Sequence, residues 1–328
     1  MGFTSILTMI NNLFTPKREV VCIDIGFRHI KGVFFSEGKI VEFFQEKREG
    51  KELPLANILK KYKLLSKKVK LALKGEDTLI RYIPFPKVEK KKIKEVVQYE
   101  ISRYIPFPKE EIYFDVFVLD NNYGKDELLL LLAVIKKNFL DDLIKKLEKE
   151  KIDCQEINLQ SIALLNLFLK SETTKVNTAI VDVGRESTLL NLVKGTIPYL
   201  SREAKVGGNT LCEKIASLKN LSLDGSEDFI SNPDNSKEVI EIGESFFNQI
   251  VEEIRNSFDY FEVNTGERIN KVYLTGGITK IKGIEAAISS SLDVRVENWN
   301  PLRTLNFSYK EDFSNSIGPF TVALGLGV

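Results

Sequence analysis

The stretch VVCIDIGFRHIKGVFF (residues 20–35) joins two short apolar runs through an Asp-x-Gly turn, and TAIVDVGRESTLLNLV (residues 178–193) repeats this arrangement. Apolar runs separated by a glycine turn predict paired β-strands. A third turn, Thr275-Gly276-Gly277, follows the apolar run KVYL and precedes a helical pattern. One Asp-x-Gly turn is common in hairpins, where aspartate caps the turn and glycine supplies positive φ. Two strand–turn–strand units and a strand–turn–helix unit are much more specific, and together they predict an α/β protein that binds phosphate.

Phosphate chemistry explains why these residue types recur at the turns. A glycine lets backbone N–H groups approach phosphate oxygens without interference from a Cβ. Asp24 and Asp182 stand at strand ends, where a carboxylate can hold magnesium through water. Ser187 and Thr188 add hydroxyl groups beside the second turn, and Lys31 can neutralise phosphate charge. The chain contains neither a GxxxxGK[ST] loop nor a strand–GxGxxG–helix unit, which excludes P-loop proteins and dinucleotide-binding enzymes of that type.

The composition is that of a soluble globular protein with two domains or lobes. The 328 residues include 43% hydrophobic and 28% charged side chains. A chain of this length exceeds what one hydrophobic core usually holds. A net charge of +1 gives no reason to expect a nucleic acid partner. The three cysteines, Cys22, Cys154 and Cys212, form no CxxC pair, and His29 is the single histidine. These counts argue against a zinc site or a histidine-based nucleophile and favour reduced thiols in the cytosol.

No stretch reaches the roughly 18 apolar residues of a transmembrane helix, and the longest apolar run, residues 128–135, is interpreted as a buried strand. The start of the chain lacks a secretory signal pattern, so we expect a cytoplasmic protein. Residues 1–19 carry apolar residues at the spacing of one helical face. This extension is either a weak membrane or partner helix, or else a helix packed on its own domain or a frayed terminus. The absence of a basic face argues against the membrane or partner helix, and the role of the segment stays open.

An internal duplication marks residues 79–153. The heptapeptide RYIPFPK occurs at residues 81–87 and again at 103–109, and the segment between them has the spacing of an amphipathic helix. We expect this helix to be bounded by proline-containing turns at both ends. Two strands and a further helix complete a compact α+β insertion. The lysine run at positions 90–94 is interpreted as a solvated helix face, with contact to anionic lipid as the alternative.

The remaining pattern predicts further elements along the chain. Helices are expected at residues 57–65, 138–149 and 157–170, after the Thr275 turn, and at the C-terminal FTVALGLGV. Residues 205–268 are expected to be mainly helical, with a turn-rich gap at 223–237. Strands are expected at residues 70–73 and in VRVENWNPL.

The arrangement resembles the actin, hexokinase and Hsp70 superfamily, and within it the PilM family of type IV pilus assembly proteins. The PilM-like motifs are RYIPFP with its following helix, YIPFPKEEIYFDVFVLD, VDVGREST, SREAKVGGNTL, LTGGITKIKGI and VALGLGV. They follow the family order over residues 20–328. The resemblance implies an actin-like (ribonuclease H-like) α/β fold of two lobes with an inserted α+β subdomain.

The resemblance also implies a domain division. After the extension 1–19, the expected units are a first lobe (20–78, 154–176 and 316–328), the inserted subdomain (79–153), a second lobe (177–210 and 269–315) and a helical subdomain of that lobe (211–268).

For the site, the resemblance implies ATP and Mg²⁺ between the lobes. It assigns the first phosphate loop to Asp24–Lys31 with Gly26, and the second to Asp182–Thr188 with Gly184. It assigns an adenosine loop to Thr275, Gly276 and Gly277, with a glycine pair near the nucleotide at Gly207 and Gly208. Arg255 is expected to contact the adenine, and Asp24 and Asp182 are expected to hold magnesium through water.

One departure concerns the first loop, where Phe27, Arg28 and His29 replace the small or hydroxyl residues usual in the family. These residues can narrow the loop or add positive charge near phosphate. No catalytic residue is assigned, and Asn158 and Gln160 are the candidates for positioning water. We therefore expect ATP binding with at most weak hydrolysis.

PilM-like proteins bind the N-terminal tail of PilN, an inner-membrane protein, so the resemblance implies a cytoplasmic scaffold held at the inner-membrane face through this partner. Contacts with other pilus assembly proteins and the oligomeric state stay open. The expected groove lies on or beside the insertion, with Arg81, Tyr82, Tyr99, Tyr104 and Phe107 as partner-binding residues. The alternative is that most of these aromatic side chains close the core of the subdomain.

Two other classes of function remain. A filament-forming division protein similar to FtsA would normally end in an amphipathic membrane helix, whereas this chain ends in LGLGV. The second class is an enzyme of the superfamily, such as a sugar kinase or a chaperone-type ATPase. A sugar kinase would need a catalytic base and sugar-binding side chains between the lobes. The sequence identifies neither.

Overall fold

The computed structural model describes residues 19–48, 50, 53–305, 307–309, 313 and 317–328. The expectation for the N-terminal extension lies outside the described residues, except at Glu19. The strands are β1 (Val20–Ile25), β2 (His29–Ser36), β3 (Lys39–Lys47), β4 (Lys68–Leu73), β5 (Thr78–Pro86), β6 (Ile112–Gly124), β7 (Glu127–Lys136), β8 (Cys154–Leu159), β9 (Thr178–Val183), β10 (Thr188–Lys194), β11 (Ile197–Ala204), β12 (Lys271–Gly276) and β13 (Arg295–Asn298). The helices are α1 (Leu55–Lys61), α2 (Ile93–Glu100), α3 (Lys137–Lys149), α4 (Gln160–Ser171), α5 (Gly208–Lys219), α6 (Leu223–Ser231), α7 (Ser236–Thr265), α8 (Ile284–Leu292) and α9 (Thr321–Leu326).

Two five-stranded sheets share one topology. The first has the order β3-β2-β1-β4-β8 and the second β11-β10-β9-β12-β13. In each sheet the first three strands along the chain form an antiparallel meander, and the last two run parallel to the central strand. The repeated Asp-x-Gly pattern therefore marks the first hairpin of two equivalent lobes, and the inserted subdomain lies in the crossover from β4 to β8.

A shared helical layer joins the two lobes. One core contains Cys22 and Phe35 from the first sheet, Ile180 and Tyr273 from the second, and the apolar side chains of α4 and α9. Because α4 packs against both sheets, nearly all of its residues are buried. The outer faces of the sheets have separate cores, one with α1 and α3, and the other with α5, α7 and α8.

The inserted subdomain is a three-stranded antiparallel sheet of order β5-β7-β6. Its central strand β7 is buried on both faces, because Leu130 and Leu132 pack toward α2 while Leu131 and Ala133 join the core of the first lobe. A strand covered on both faces needs apolar residues at every position. The longest apolar run is therefore the buried strand that its composition predicts.

The two copies of RYIPFPK adopt different structures. The first copy lies in β5, so the expectation of a turn there is wrong, while the second follows α2 as irregular chain and a short 3₁₀ segment. Strand β5 pairs only with β7 in the described sheet. A proline in an edge strand is tolerated because its missing N–H can face away from the ladder.

Three further expectations differ from the structure. Residues up to Leu159 form β8, and α4 begins only at Gln160, because a short apolar run does not distinguish a buried strand from a buried helix. The expected gap at 223–237 contains α6, whose first turn is capped by the Ser222 hydroxyl accepting from Gly225 N at 3.0 Å. The expected helix at 57–65 spans Leu55–Lys61.

Within the described part of the chain, no helix combines the length and the apolar character that crossing a bilayer requires.

Candidate functional site

A cavity of about 160 Å³ lies between the lobes, where both Asp-x-Gly turns and the turn after β12 converge. It is lined by the predicted residues Asp24, Gly26, Lys31, Asp182, Gly184, Gly208 and Gly277, and further by Phe27, Arg28, His29, Gln45, Lys74, Gln160, Val183, Arg185, Leu211, Cys212, Glu227, Ile230, Ser231, Phe246, Ile278, Lys280, Ile281 and Pro319.

The two Asp-x-Gly turns have the same geometry. Gly26 N donates to His29 O at 3.0 Å, and Gly184 N donates to Ser187 O at the same distance. Each glycine amide is therefore used to close its own turn. Phosphate contacts in this cavity must come from other backbone amides of the turns and from side chains.

Asp24 is held at the bottom of the cavity by two donors. Its carboxylate accepts from Lys31 Nζ at 2.9 Å and from the Gln160 amide, and the residue is 1% exposed. Burial acts to lower the pKa of Lys31, but Asp24 and Asp182 outweigh burial and the net shift is upward. Lys31 is therefore charged at neutral pH. Both oxygens of Asp24 already accept hydrogen bonds, one from Lys31 and one from Gln160.

Asp182 has a different environment. In the described residues no hydrogen bond reaches its carboxylate, and burial raises its pKa against the opposing effect of Lys31 and Lys74. Oxygen ligands with retained water suit magnesium, so an unengaged carboxylate facing the cavity fits this ion. Of the two aspartates predicted to hold magnesium, Asp182 fits the ion better than Asp24.

Positive charge predominates among the residues that line the cavity. Five cationic side chains face three carboxylates; the cations are Arg28, Lys31, Lys74, Arg185 and Lys280, and the carboxylates are Asp24, Asp182 and Glu227. Burial and the surrounding cations, among them Lys31 and Lys280, lower the pKa of His29 to about 4, so its ring is neutral near pH 7. Such a cavity suits a polyanion.

Part of the cavity lining is apolar. Leu211, Ile230, Phe246, Ile278 and Ile281 belong to it, and they come from α5, α6, α7 and the turn after β12. A cavity lined by both cationic and apolar side chains suits a ligand that joins phosphate to a flat ring.

Sequence reasoning missed several of these cavity residues. Arg185 lies within the second turn motif and Lys280 follows the third, so a charged residue at a phosphate-loop motif was the available signal for these two, whereas Lys74 follows β4 and had no such signal. No comparable signal pointed to the apolar residues of α6 and α7, which the tertiary structure alone brings together.

The predicted hydroxyl residues support the second turn from behind. Ser187 Oγ accepts from Lys74 Nζ at 3.1 Å and donates to Glu203, while Thr188 Oγ1 donates to Val206 O at 2.7 Å. Neither side chain lines the cavity. Their role in the structure is to hold the turn in place.

Gly207 and Gly208 allow α5 to begin directly on the second turn. Gly208 N donates to Gly184 O at 2.9 Å, and Asn209 N donates to Arg185 O at 2.7 Å. A Cβ at Gly207 would lie 2.4 Å from the carbonyl carbon of Glu186. Gly208 reaches the cavity lining, whereas Gly207 lies behind it.

In the third turn, Gly277 lines the cavity and its two neighbours are structural. Thr275 Oγ1 donates to Gly318 O at 2.9 Å and bonds Thr321 Oγ1, which ties β12 to α9. Gly276 has φ +86° and packs against Asp182. Arg255 lies outside the cavity on α7 and donates to Ser291 O on α8, so the structure does not bring it to the expected adenine position.

The predicted partner-binding residues differ in exposure. Tyr82 is half-buried, and its hydroxyl bonds Ser201 Oγ at 2.8 Å across the contact between β5 and β11. Tyr99 on α2 is 81% exposed. Arg81 is exposed, while Tyr104 and Phe107 are half-buried, with Lys136 Nζ 5.0 Å from the centre of the Phe107 ring.

Two other cavities adjoin the inserted subdomain along β6. One of about 480 Å³ is lined by Lys90, Ile93, Lys94, Val116, Phe117, Val118, Leu119, Leu169, Thr196 and Pro198. The other, of about 520 Å³, includes Asp120, Tyr123, Tyr199 and Thr196. Because Thr196 lines both, they form neighbouring parts of one groove between β6 and the β10–β11 turn, which we call the β6 groove.

Comparison with known proteins gives three positive results. The family model described as type IV pilus assembly protein PilM matches residues 29–328. The solved PilM-PilN type IV pilus biogenesis complex contains a chain similar to this one at a TM-score of 0.81 and 24% identity, covering 95% of this chain and 98% of that chain. The ethanolamine utilization protein EutJ from Carboxydothermus hydrogenoformans is similar at a TM-score of 0.57 and 12% identity, covering 96% and 91%. No curated protein sequence matches. The predicted actin-like fold of two lobes is confirmed.

Proposed function

Because this chain belongs to the family of type IV pilus assembly protein PilM, we propose that it is a nucleotide-binding scaffold of pilus assembly. In this role it binds ATP between its lobes and the N-terminal tail of a PilN-like inner-membrane protein on its inserted subdomain. The tail of that partner would hold the scaffold at the inner-membrane face. The partner is proposed because the similar solved chain is described as part of a PilM-PilN complex.

The observation that carries the nucleotide proposal is the cavity between the two equivalent turns. Its lining combines cationic side chains, among them Lys31, Lys74 and Arg185, with apolar ones, and a nucleotide has a charged part and an apolar part that such a lining can bind. Asp182 is the carboxylate with oxygens available for water-bridged magnesium. When bound, magnesium would neutralise phosphate charge, while Lys31 and Lys74 would orient the phosphate chain.

The same geometry supports binding more strongly than hydrolysis. The Gln160 amide donates to Asp24 and to Ile25 O at 3.3 Å, so its donors are directed into the protein. Asn158 donates to Glu156 at 3.1 Å and does not line the cavity. Neither candidate is arranged to position an attacking water. We therefore propose that ATP acts as a structural or switching ligand with at most weak turnover.

The partner tail is proposed to occupy the β6 groove. Four consecutive residues, 116–119, line it. Successive side chains of a strand point to opposite faces, so a consecutive run means that the strand edge itself borders the groove. In the described sheet β6 pairs only with β7. A free strand edge beside apolar side chains suits an extended peptide, which can add backbone hydrogen bonds and fill pockets with alternate side chains.

The test is titration of the full chain with a labelled peptide of a PilN-like tail, with and without Mg-ATP. The proposal expects saturable binding that Leu119→Asp weakens at least about tenfold, since a buried unpaired charge opposes apolar docking. Tyr99→Ala, on the exposed face of α2, is the comparison variant and leaves binding unchanged. Loss of binding in Tyr99→Ala, with binding unchanged in Leu119→Asp, would move the site to the exposed face of α2. Absence of peptide binding with nucleotide still bound would contradict the scaffold function.

A further inference from the structure

Two arginines from different lobes meet one carboxylate in the lining of the cavity. Arg28 belongs to the first turn, Arg185 to the second, and Glu227 to α6. Glu227 Oε1 lies 3.1 Å from Arg185 Nη1 and 3.7 Å from Arg28 Nε. All three side chains line the cavity and are less than one-third exposed.

This carboxylate lies beside both guanidinium groups, but its Oε1 accepts a hydrogen bond from neither. Nε of Arg28, Nε of Arg185 and Oε1 of Glu227 are all buried and have no hydrogen-bond partner among the described residues. The 3.1 Å contact is therefore an ion pair that lacks hydrogen-bond alignment. Buried donors left without acceptors are costly, and guanidinium groups bind best to anions that accept two parallel hydrogen bonds.

A second ion pair lies on the outer side of the same cluster. Arg28 Nη2 contacts Asp224 Oδ1 at 2.7 Å, and Lys47 Nζ contacts Asp224 Oδ2 at 3.0 Å. The two carboxylates of α6 therefore attach this helix to the first lobe. His29 Nε2 lies 3.7 Å from Glu227 Oε2, but its ring is neutral near pH 7, so the arginines supply the positive charge next to Glu227.

We propose that Arg28 and Arg185 form the binding site for the terminal phosphate of the nucleotide, and that Glu227 occupies this position as a substitute anion when no phosphate is bound. This inference rests on the proposed nucleotide binding for the identity of the phosphate donor. A phosphate offers three oxygens where Glu227 offers two, so it can accept from both Nε groups and displace the carboxylate.

Displacement of Glu227 has a mechanical consequence. A phosphate placed between the arginines repels Glu227, and it competes with Asp224 for the guanidinium of Arg28. Both effects weaken the attachment of α6 to the first lobe. Binding of a terminal phosphate would then loosen this helix, whereas a nucleotide without that phosphate would leave it attached.

The experiment measures affinity for inorganic triphosphate, Mg-ATP and AMP by calorimetry in wild-type protein and charge-neutral variants. Arg28→Gln and Arg185→Gln are expected to weaken triphosphate and ATP about tenfold, because each removes a charge-assisted contact. Glu227→Gln is expected to tighten both about five- to tenfold, because the competing anion is removed. AMP is expected to be unaffected. Glu76→Gln is the control, since Glu76 pairs with Lys205 at 3.1 Å on the exposed surface, and it changes nothing.

The outcomes separate this inference from the proposed function. Weaker triphosphate binding in Glu227→Gln, or unchanged ATP affinity in both arginine variants, overturns the inference while nucleotide binding stands. If the variants change triphosphate affinity as expected but the wild-type protein does not bind ATP, the inference is supported and the nucleotide function is overturned. Binding of neither ligand to wild-type protein overturns both. If Arg185→Gln does not fold, Arg185→Lys keeps the charge and is expected to lose affinity through its missing planar fork.

Discussion

At the scale of single residues, the site depends on close backbone contacts as much as on charged groups. Gly276 shows this most clearly, because its φ is +86° and a Cβ there would lie 2.4 Å from Asp182 Oδ1. The following residue, Gly277, meets nothing within 4 Å of an added Cβ and has no positive φ. Two adjacent glycines in one motif therefore have different physical roles.

We predict that Gly276→Ala destabilises the protein by roughly 2 kcal/mol or more, since strained backbone and a displaced Asp182 both contribute. Gly277→Ala is the matched control, and its free energy of unfolding should stay within about 0.5 kcal/mol of wild type. Chemical denaturation of both variants measures the difference. Equal losses in the two variants would show that the contact with Asp182 does not account for the effect.

His29 gives a prediction for pH. Its pKa is lowered to about 4 from 6.5, first by burial and then by nearby cations. Between these values the unfolded chain binds a proton that the folded chain does not, so folding stability falls as pH decreases from 6.5 to 4. The loss is on the order of 1–3 kcal/mol. His29→Gln should show a shallower decline over this window in urea titrations at successive pH values. Parallel curves for the two proteins would contradict the assignment.

At the scale of elements, β7 shows how one strand connects two cores. Leu130 belongs to the core beneath α2, while the adjacent Leu131 belongs to the core of the first lobe, and both are fully buried. Strand alternation sends neighbouring side chains to opposite faces. The inserted subdomain is therefore built onto the first lobe through one face of its central strand.

We predict different consequences for Leu130→Ala and Leu131→Ala, although each should cost about 2–5 kcal/mol. The cavity left by Leu131→Ala lies in the core shared with the first lobe, so amide hydrogen exchange should accelerate in β1 and in the insertion. Leu130→Ala should accelerate exchange in α2 and β6 and leave β1 protected. Identical exchange patterns would show that the two cores are not separate.

At the scale of the whole molecule, α4 and α9 form a layer that both lobes need. Trp299, the single tryptophan of the chain, packs against this layer in the shared core at 3% exposure and donates to Glu172 at 3.1 Å. Neither sheet can lose this layer without exposing apolar surface. The division into lobes and subdomains at the residues expected from the sequence remains a prediction.

The shared layer predicts cooperative unfolding of the two lobes. Tryptophan fluorescence, which reports on the layer, and far-UV circular dichroism, which reports on all helices and sheets, should give the same urea midpoint. Phe229→Trp, placed in the helical subdomain on α6, serves as a comparison probe at a partly buried position. A Trp299 transition at lower urea than the dichroism transition would mean that the lobes separate before they unfold.

The sequence by itself determined the elements whose pattern is local. The Asp-x-Gly turns at Asp24 and Asp182, the glycine turn at 275–277 and the apolar run of β7 are each readable from neighbouring residues, because turn geometry and strand burial impose residue types within a few positions. Six of the cavity residues followed from these patterns, while Gly208 and the two-lobed fold came from the family resemblance.

Tertiary structure alone decided what depends on distant contacts. Strand β8 was missed because a short buried apolar run does not distinguish a strand from a helix. The same heptapeptide became a strand in one place and irregular chain in another. Helix α6, by contrast, was missed although the Ser222 cap at its first turn is a local signal and Ser226 is its one buried residue. Lys74, Arg185 and Glu227 come together at the cavity from three elements far apart in the chain. Ser187 and Thr188 carry the expected hydroxyl groups but direct them into the protein, because the neighbouring Glu203 and Val206 accept their hydrogen bonds.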